Sequence, residues 1–157
     1  MSFKRLIFII ILIFVSNQVI SKTIAIQTKN STIDNRVDGE DFIEGDKLEM
    51  YQCLVRGWSL KSASGNCYLS MQLDGNLVIY KTRNLAPLWA THTHFKYANR
   101  AYMEADGNLN VYGNDDYLWW SSKTKRKNGA YVKLQNSGNL EMFTKSDKKV
   151  WETKSNI

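Results

Sequence analysis

The chain has 157 residues, of which 43% are hydrophobic and 23% are charged, and its formal net charge is +6. This length leaves room for one domain only. The moderate positive charge gives no support to a nucleic-acid-binding protein, because no aromatic residues are interleaved with the densest basic run, Lys123 to Lys127. Asn128-Gly129 follows that run as a turn signal, which favours a solvated loop.

The first 21 residues have the pattern of a secretory signal peptide. Lys4 and Arg5 precede an apolar run from Leu6 to Val15, and Ser21 is a small residue at a plausible cleavage site. The alternative, a membrane anchor, is disfavoured because ten apolar residues are too few to cross a bilayer. We therefore expect a secreted, extracellular protein without a membrane span. Without the two basic residues of this segment, 19 basic and 15 acidic residues remain, a charge of +4.

Residues 22–40 are polar and show no clear periodicity, which predicts a flexible N-terminal arm. Asn30-Ser31-Thr32 within this arm is an acceptor triplet for N-glycosylation, if the host glycosylates its exported proteins. The remaining segment, residues 41–155, is the predicted domain.

Cys53 and Cys67 lie fourteen residues apart, and an even cysteine count in an exported chain favours a disulfide between them. Such a bridge would stabilise the fold by about 3 kcal/mol on the chain-entropy model. A zinc site would need His92 and His94 as partners, but these four residues have no recognisable ligand spacing. We expect no metal and no other cofactor.

The segment from Met71 to Tyr80 alternates in the manner of a half-buried strand. The alternation predicts Leu73, Leu77 and Ile79 on one side. Five residues fall on the other side, namely Gln72, Asp74, Asn76, Val78 and Tyr80. Gln, Asp and Asn are poor strand formers, so this row is unusual for a strand and indicates a surface that is used. Its amides, carboxylate and phenol suit the binding of hydroxyl groups. The alternative is a plain polar face in contact with solvent.

The same pattern recurs twice, and we call the three copies the first motif (residues 72–80), the second motif (104–112) and the third motif (135–143). Each contains Gly-Asn-Leu, and each is followed by a tryptophan step. The intervals from Trp89 to Trp120 and from Trp120 to Trp151 are both 31 residues. A fixed period of this kind indicates one supersecondary unit used three times.

Short strands separated by turn residues, without helical periodicity, predict an all-β fold. Three units can close around a three-fold axis, with one large apolar residue from each unit at the centre. Trp89, Trp120 and Trp151 are the predicted central residues, because each occupies the same place in its unit. An alternative role, stacking on a ligand, is weaker because a core position explains all three.

The first motif, with its Gln-x-Asp-x-Asn-x-Val-x-Tyr spacing, resembles the complete mannose-binding motif of the bulb-type (monocot, snowdrop-like) lectins. The resemblance extends from Asp41 to Thr153. It implies a β-prism of three four-stranded antiparallel sheets with pseudo-three-fold symmetry. It also implies metal-free binding of mannose or mannose-containing glycoproteins. Four residues would then hydrogen-bond the sugar hydroxyls and Val78 would contact its apolar face; the four are Gln72, Asp74, Asn76 and Tyr80.

The other two copies depart from the family pattern. The second motif keeps Asp106, Asn108 and Tyr112 but has Glu104 for Gln and Asn110 for Val, so we expect a weak site or none. The third motif keeps Gln135 and Asn139 and replaces the other three residues (Ser137, Glu141 and Phe143), which predicts a silent site. Its inward residues are better kept, namely Leu134, Leu140 and Met142. In the family, the partner of the Cys67 position lies in another motif copy, which leaves the bridge pattern open.

A non-enzymatic lectin is the function that the resemblance implies. The alternative is a protein-interaction or toxin and defence module on the same fold, with sugar binding reduced or lost and the loop at Lys125 and Arg126 contacting a partner. A hydrolase has little support, since the paired carboxylates Asp115-Asp116 lie in a turn signal. By analogy with the family, exchange of the terminal strand from Val150 to Thr153 would give a homodimer.

Overall fold

The computed structural model describes residues 41–155, and all of their regular structure is β-strand. The predicted signal peptide, the N-terminal arm and Asn30 lie outside these residues. No helix capable of crossing a membrane occurs within the described part of the chain. The thirteen strands are β1 Asp41–Ile43, β2 Lys47–Glu49, β3 Cys53–Val55, β4 Trp58–Lys61, β5 Cys67–Met71, β6 Leu77–Lys81, β7 Pro87–Ala90, β8 Ala98–Met103, β9 Leu109–Gly113, β10 Leu118–Ser121, β11 Gly129–Leu134, β12 Leu140–Thr144 and β13 Lys149–Glu152.

The strands form three sheets, which we number by the motif that each contains. The first sheet has the order β1-β4-β5-β6-β7, the second β10-β9-β8-β3 and the third β13-β12-β11-β2. The predicted all-β prism is confirmed, with one correction to the strand count. β1 adds a fifth strand to the first sheet, and it pairs with β4 in parallel through the partners Asp41 and Trp58. The repeat pattern did not predict β1, because this strand lies before the first repeat.

The core repeats with the same three-fold pattern as the sequence. Leu48, Leu54 and Leu60 come from the equivalent strands β2, β3 and β4 and are at most 1% exposed. The strands that contain the motifs contribute Leu77, Leu109 and Leu140 at equivalent places, all fully buried. Burial of large aliphatic side chains from each sheet is the main stabilising term of such a domain. The inward residues predicted for the third motif are also fully buried, namely Leu134, Leu140 and Met142.

The three repeated tryptophans meet, as predicted, but they do not form the centre of the core. The ring centroids of Trp89 and Trp120 are 5.4 Å apart, and those of Trp120 and Trp151 are 6.2 Å apart, both in edge-to-face geometry. All three rings are half-buried and pack against the aliphatic core. The indole rings are too large to be enclosed by strands this short, so they cover the core where the three units meet.

The first motif is a turn followed by a strand, which corrects the predicted alternation. Residues 72–76 connect β5 to β6, and Leu73, predicted to face inward, is 77% exposed. In β6 the residues Leu77, Val78 and Ile79 are all buried, although alternation placed Val78 on the polar side. Both faces of this strand are covered, so the period-two rule fails there.

The predicted disulfide is not formed, and both cysteines are free. Cys53 lies exposed on β3 of the second sheet, whereas Cys67 is fully buried on β5 of the first sheet. The Cys67 sulfur lies 3.9 Å from the carbonyl oxygen of Asn136 in the third motif. Because the two thiols belong to different sheets and only one of them is buried, the sequence interval between them is misleading. Burial raises the pKa of the Cys67 thiol, which keeps it protonated and unreactive.

Candidate functional site

The turn that begins the first motif brings Gln72, Asp74 and Asn76 together. Gly75 has φ +87°, and a Cβ atom there would lie 3.0 Å from the backbone N and O of Ala98, so only glycine fits. One carboxylate oxygen of Asp74, Oδ1, accepts a hydrogen bond from the backbone N–H of Asn76 at 2.9 Å. This Asx turn fixes the carboxylate. The other oxygen, Oδ2, accepts no hydrogen bond from residues 41–155.

The Asn76 carboxamide attaches the motif to the chain segment that follows β7. Its oxygen accepts hydrogen bonds from the backbone N–H of Thr93 at 3.1 Å and from the hydroxyl of Thr91 at 3.2 Å. These contacts orient the amide, since the oxygen must face the backbone donor. The NH₂ group of Asn76 therefore faces away from the segment that follows β7, and it has no acceptor among the described residues.

Gln72 and Tyr80 form the second half of the first site. The Gln72 amide donates to the Tyr80 hydroxyl oxygen at 2.8 Å, which fixes both side chains on one face. The Tyr80 ring stacks on Tyr68 with centroids 5.3 Å apart, and Tyr68 packs edge-on against Phe42. Because the phenol oxygen accepts this bond, its own O–H remains a donor, and it has no acceptor within residues 41–155. Val78 lies between these groups in sequence and is 3% exposed.

The first site therefore contains three groups free to bind a ligand: the Asp74 Oδ2 acceptor, the Asn76 NH₂ donor and the Tyr80 O–H donor. All three are fixed by hydrogen bonds to other residues of the chain. One acceptor and two donors, mounted on a turn and the strand that follows it, are suited to a polyhydroxy compound. The structure brings Gln72, Asp74, Asn76 and Tyr80 together through the turn and its hydrogen bonds, whereas Val78, predicted as the apolar contact, is 3% exposed.

The second motif uses its polar groups internally. The Tyr112 hydroxyl donates to Glu104 Oε1 at 2.7 Å, and Asn110 donates to the Tyr112 oxygen at 3.0 Å. Burial, and then the bond to Glu104, raise the pKa of the Tyr112 phenol. Replacing Gln by Glu thus reverses the bond seen in the first motif, because a carboxylate accepts the phenol proton that an amide would leave free.

The remaining groups of the second motif are also engaged. The Lys125 ammonium lies 3.5 Å from Asp106 Oδ2, and the Asn108 NH₂ is 3.4 Å from the same oxygen. The Asn108 oxygen accepts the backbone N–H groups of Thr124 and Lys125 at 2.7 and 2.9 Å. Asn108 is only 8% exposed. The three residues predicted as a weak second site therefore lie together, but their donors and acceptors are already paired.

The third motif is closed by a charged network. The Asn139 NH₂ donates to Glu141 at 3.0 Å and to Glu152 at 2.8 Å. The Lys149 ammonium contacts the same two carboxylates at 3.1 and 2.9 Å. Hydrogen bonds from Lys149 and, second, from Asn139 lower the pKa of Glu152. Phe143 stacks on Tyr131 at 5.3 Å, where the first motif has its phenol pair.

The linker after each tryptophan step is a functional element that the sequence reasoning missed. In all three linkers two hydroxyl residues flank a residue of positive φ, at Thr91-His92-Thr93, Ser122-Lys123-Thr124 and Thr153-Lys154-Ser155. In each unit the motif asparagine oxygen accepts a backbone N–H from this segment. The recurrence was visible in the sequence and would have indicated that this asparagine has a structural role besides any contact with a ligand.

The first linker also places aromatic side chains beside the first site. The backbone N–H of Phe95 donates to the carbonyl oxygen of Asp74 at 2.8 Å. Phe95 and Tyr97 are 82% and 77% exposed, and both have positive φ angles, 59° and 55°. The second linker has Arg126 and Asn128 at the corresponding places. The two linkers thus have similar backbone conformations and opposite surface chemistry.

No protein-family model matches the chain. The B-type lectin plumieribetin of Scorpaena plumieri is 33% identical over 105 residues, which are 66% of this chain and 89% of that protein. A monomeric monocot mannose-binding lectin from Gastrodia elata has a TM-score of 0.64 and 34% identity, covering 72% of this chain and 100% of that one. The mannose-specific snowdrop agglutinin of Galanthus nivalis, solved with methyl-α-D-mannoside, has a TM-score of 0.57 and 30% identity, covering 71% and 98%. Together with the three-sheet prism and the three motifs, this similarity shows that the chain belongs to the B-type, or bulb-type, lectin family.

Proposed function

We propose that this protein is a secreted, non-catalytic lectin that binds mannose, or the mannose residues of a glycan, at the first motif. The observation that carries the proposal is the set of three unpaired groups in the first site, Asp74 Oδ2, the Asn76 NH₂ and the Tyr80 O–H. The relatives described as mannose-binding or solved with a mannoside support the choice of sugar. Export follows from the signal-peptide pattern of residues 1–21.

The chemistry of the three groups explains how one hexose would be preferred over its isomers. A carboxylate oxygen and an amide donor fixed side by side suit a hydroxyl that both donates and accepts, and a charged acceptor makes the stronger kind of hydrogen bond. An isomer with that hydroxyl in another orientation would cover these polar groups and leave them unpaired, which costs about 1–3 kcal/mol for each group that the sugar removes from water. With one open site in each chain, the affinity for a monosaccharide should be weak, with a Kd of the order of 1 mM. Tight binding to a cell surface would then depend on several copies.

Calorimetry with methyl-α-mannoside tests the proposal through two conservative variants. Asp74→Asn keeps an oxygen for the Asx turn and removes the charge, and Tyr80→Phe removes only the hydroxyl. We expect roughly tenfold weaker binding for each, from the loss of about 1–1.5 kcal/mol. Mannoside should bind with a stoichiometry of one per chain.

The second motif supplies matched controls at equivalent positions. Asp106→Asn and Tyr112→Phe make the same chemical changes where the groups are already paired. These variants should bind mannoside with unchanged affinity. Equal losses from both pairs of variants, or no loss from Asp74→Asn and Tyr80→Phe, would contradict a single site at the first motif.

A further inference from the structure

A basic groove lies between the second linker and the β12–β13 turn. It has a volume of about 860 Å³, and five basic side chains line it, namely Lys125, Arg126, Lys127, Lys145 and Lys148. Asp106 is the one acidic residue of its lining, so five positive charges against one negative leave a formal charge of +4. Lys125 pairs with Asp106, and the other four basic residues make no ion pair within residues 41–155. Four uncompensated cations around one depression concentrate positive potential there.

Hydrogen bonds fix the backbone of both loops that carry these side chains. In the second linker, Arg126 has φ 72°, and the N–H of Lys127 donates to the carbonyl oxygen of Thr124 at 2.9 Å. In the β12–β13 turn, the Thr144 hydroxyl accepts the backbone N–H of Lys148 at 3.2 Å. Asp147 in the same turn is engaged with the Tyr131 hydroxyl at 2.6 Å, an interaction that raises the pKa of this phenol to about 12. The cations of the groove therefore come from two loops whose backbones are held by hydrogen bonds.

The lining of the groove indicates which class of anion fits. Met50, Ala130 and Val150 give it apolar surface, and Asn128 and Ser146 add polar groups. None of its lining residues is aromatic, which argues against stacked nucleobases. Apolar surface and several cations in one groove suit a pyranose ring with charged substituents. We propose that this groove binds a glycan that carries sulfate or phosphate esters, at a site separate from the first motif.

The experiment measures binding of a labelled, heparin-derived sulfated oligosaccharide to the full chain by fluorescence anisotropy. The groove variant is Arg126→Gln, Lys127→Gln and Lys145→Gln combined, and the control is Arg83→Gln, Lys123→Gln and Lys154→Gln. All six residues are exposed, both variants lose three charges, and the control positions do not line the groove. We expect roughly tenfold weaker binding for the groove variant and at most a twofold change for the control. Binding to the unchanged chain should weaken as salt rises from about 50 to about 300 mM, because the charges are exposed.

Equal losses in the two variants would mean that net charge alone attracts the ligand, and would overturn the proposal. Binding of single-stranded DNA, or of vesicles with anionic lipid, with the same affinity and the same variant sensitivity would overturn it as well. A mannose-6-phosphate oligosaccharide that competes where the sulfated one does supports phosphate esters as the second source. Acetylation footprinting of the unchanged chain does not depend on the folding of a variant. The ligand should protect Lys127, Lys145 and Lys148 but not Lys123, and equal labelling of all four would contradict the site.

The groove proposal does not depend on the mannose proposal. The groove variant should keep its affinity for methyl-α-mannoside, because none of its three positions contributes to the first site. Loss of sulfated-glycan binding with mannoside binding intact separates the two sites. A failure at the first motif would leave the groove result standing, and the reverse also holds.

Discussion

Asn110 occupies the position in the second motif that Val78 occupies in the first, and we expect Asn110→Val to stabilise the protein. Asn110 is 5% exposed, and its carboxamide oxygen has no hydrogen-bond partner among residues 41–155. Its NH₂ donates to the Tyr112 hydroxyl oxygen at 3.0 Å. Val78 shows that the same place on the fold accepts valine, at 3% exposed. The substitution therefore removes a buried acceptor without altering the strand.

The magnitude follows from two opposing terms. Relief of an unpaired buried oxygen contributes about 1–3 kcal/mol, and loss of the bond to Tyr112 costs about 0.5–1.5 kcal/mol. Valine also suits a strand better than asparagine. We expect a net gain of about 1 kcal/mol in the free energy of unfolding. For a domain of this size the melting temperature should rise by roughly 3–6 °C.

Urea denaturation followed by tryptophan fluorescence measures this difference. Asn110→Val should shift the midpoint upward by about 0.5 M at constant slope. The reciprocal change, Val78→Asn, is the matched control and should cost about 2–3 kcal/mol, because it buries a carboxamide in the first motif. An unchanged or lower midpoint for Asn110→Val would refute the reasoning, since it would show that the Asn110 oxygen is satisfied in solution.

Two further outcomes are expected. Gly107→Ala should lower the melting temperature more than Gly45→Ala. Both glycines have positive φ angles, 87° and 90°, but only a Cβ atom at Gly107 would clash, at 2.8 Å from the backbone nitrogen of Gly129. Equal losses in the two variants would show that backbone strain alone decides the effect. Lys149→Met should reduce the acid sensitivity of the fold. The lowered pKa of Glu152 contributes stability that is present above its ordinary value of 4.5 and is lost as the pH falls through the pKa of the folded protein. The melting temperatures of the two proteins should therefore converge as the pH is lowered through this range, and a constant difference between them from about pH 7 to about pH 3 would contradict this assignment.

The repeat made the architecture predictable from the sequence. Equivalent residues of three units must perform equivalent packing, so a 31-residue interval between tryptophans specified a three-fold arrangement. The contacts among Trp89, Trp120 and Trp151 confirm it. The core leucines follow the same rule, because burial tolerates little change in volume.

Features that occur once, or that depend on contacts between sheets, were not predictable in this way. The parallel strand β1 has no counterpart in the other units. The interval between Cys53 and Cys67 gave no information about which sheet holds each thiol. Leu73 was assigned inward because alternation was extended through residues 72–76, which form a turn. Alternation applies only within a strand, and the Asp74-Gly75-Asn76 sequence was the turn signal that should have limited it.

The motif asparagine explains why the candidate site was only partly readable. Asn76, Asn108 and Asn139 persist in all three copies, although the third copy has lost the carboxylate and the phenol. In every unit the asparagine oxygen holds the segment that follows the tryptophan step, so the residue is needed whether or not the unit binds a ligand. Its presence is therefore weak evidence for binding. The informative difference between the units is the acceptor of the asparagine NH₂ group. In the first unit this group has no acceptor among the described residues. In the second unit its acceptor is the carboxylate of Asp106, and in the third unit its acceptors are the carboxylates of Glu141 and Glu152.

The same reasoning shows how a binding site of this fold is lost without damage to the fold. Glu104 and Glu141 each accept a hydrogen bond from a donor of their own motif, the Tyr112 hydroxyl and the Asn139 NH₂, where the first motif leaves the corresponding donor open. A group paired internally no longer needs a ligand and carries no desolvation cost, so such substitutions are tolerated by the scaffold. A restored second site would therefore need Glu104→Gln, which frees the Tyr112 O–H and anchors the phenol oxygen by an amide, as Gln72 anchors Tyr80. It would also need Asn110→Val, which restores the valine of the first motif. Asp106 would remain paired with Lys125, so the restored site should bind more weakly than the first.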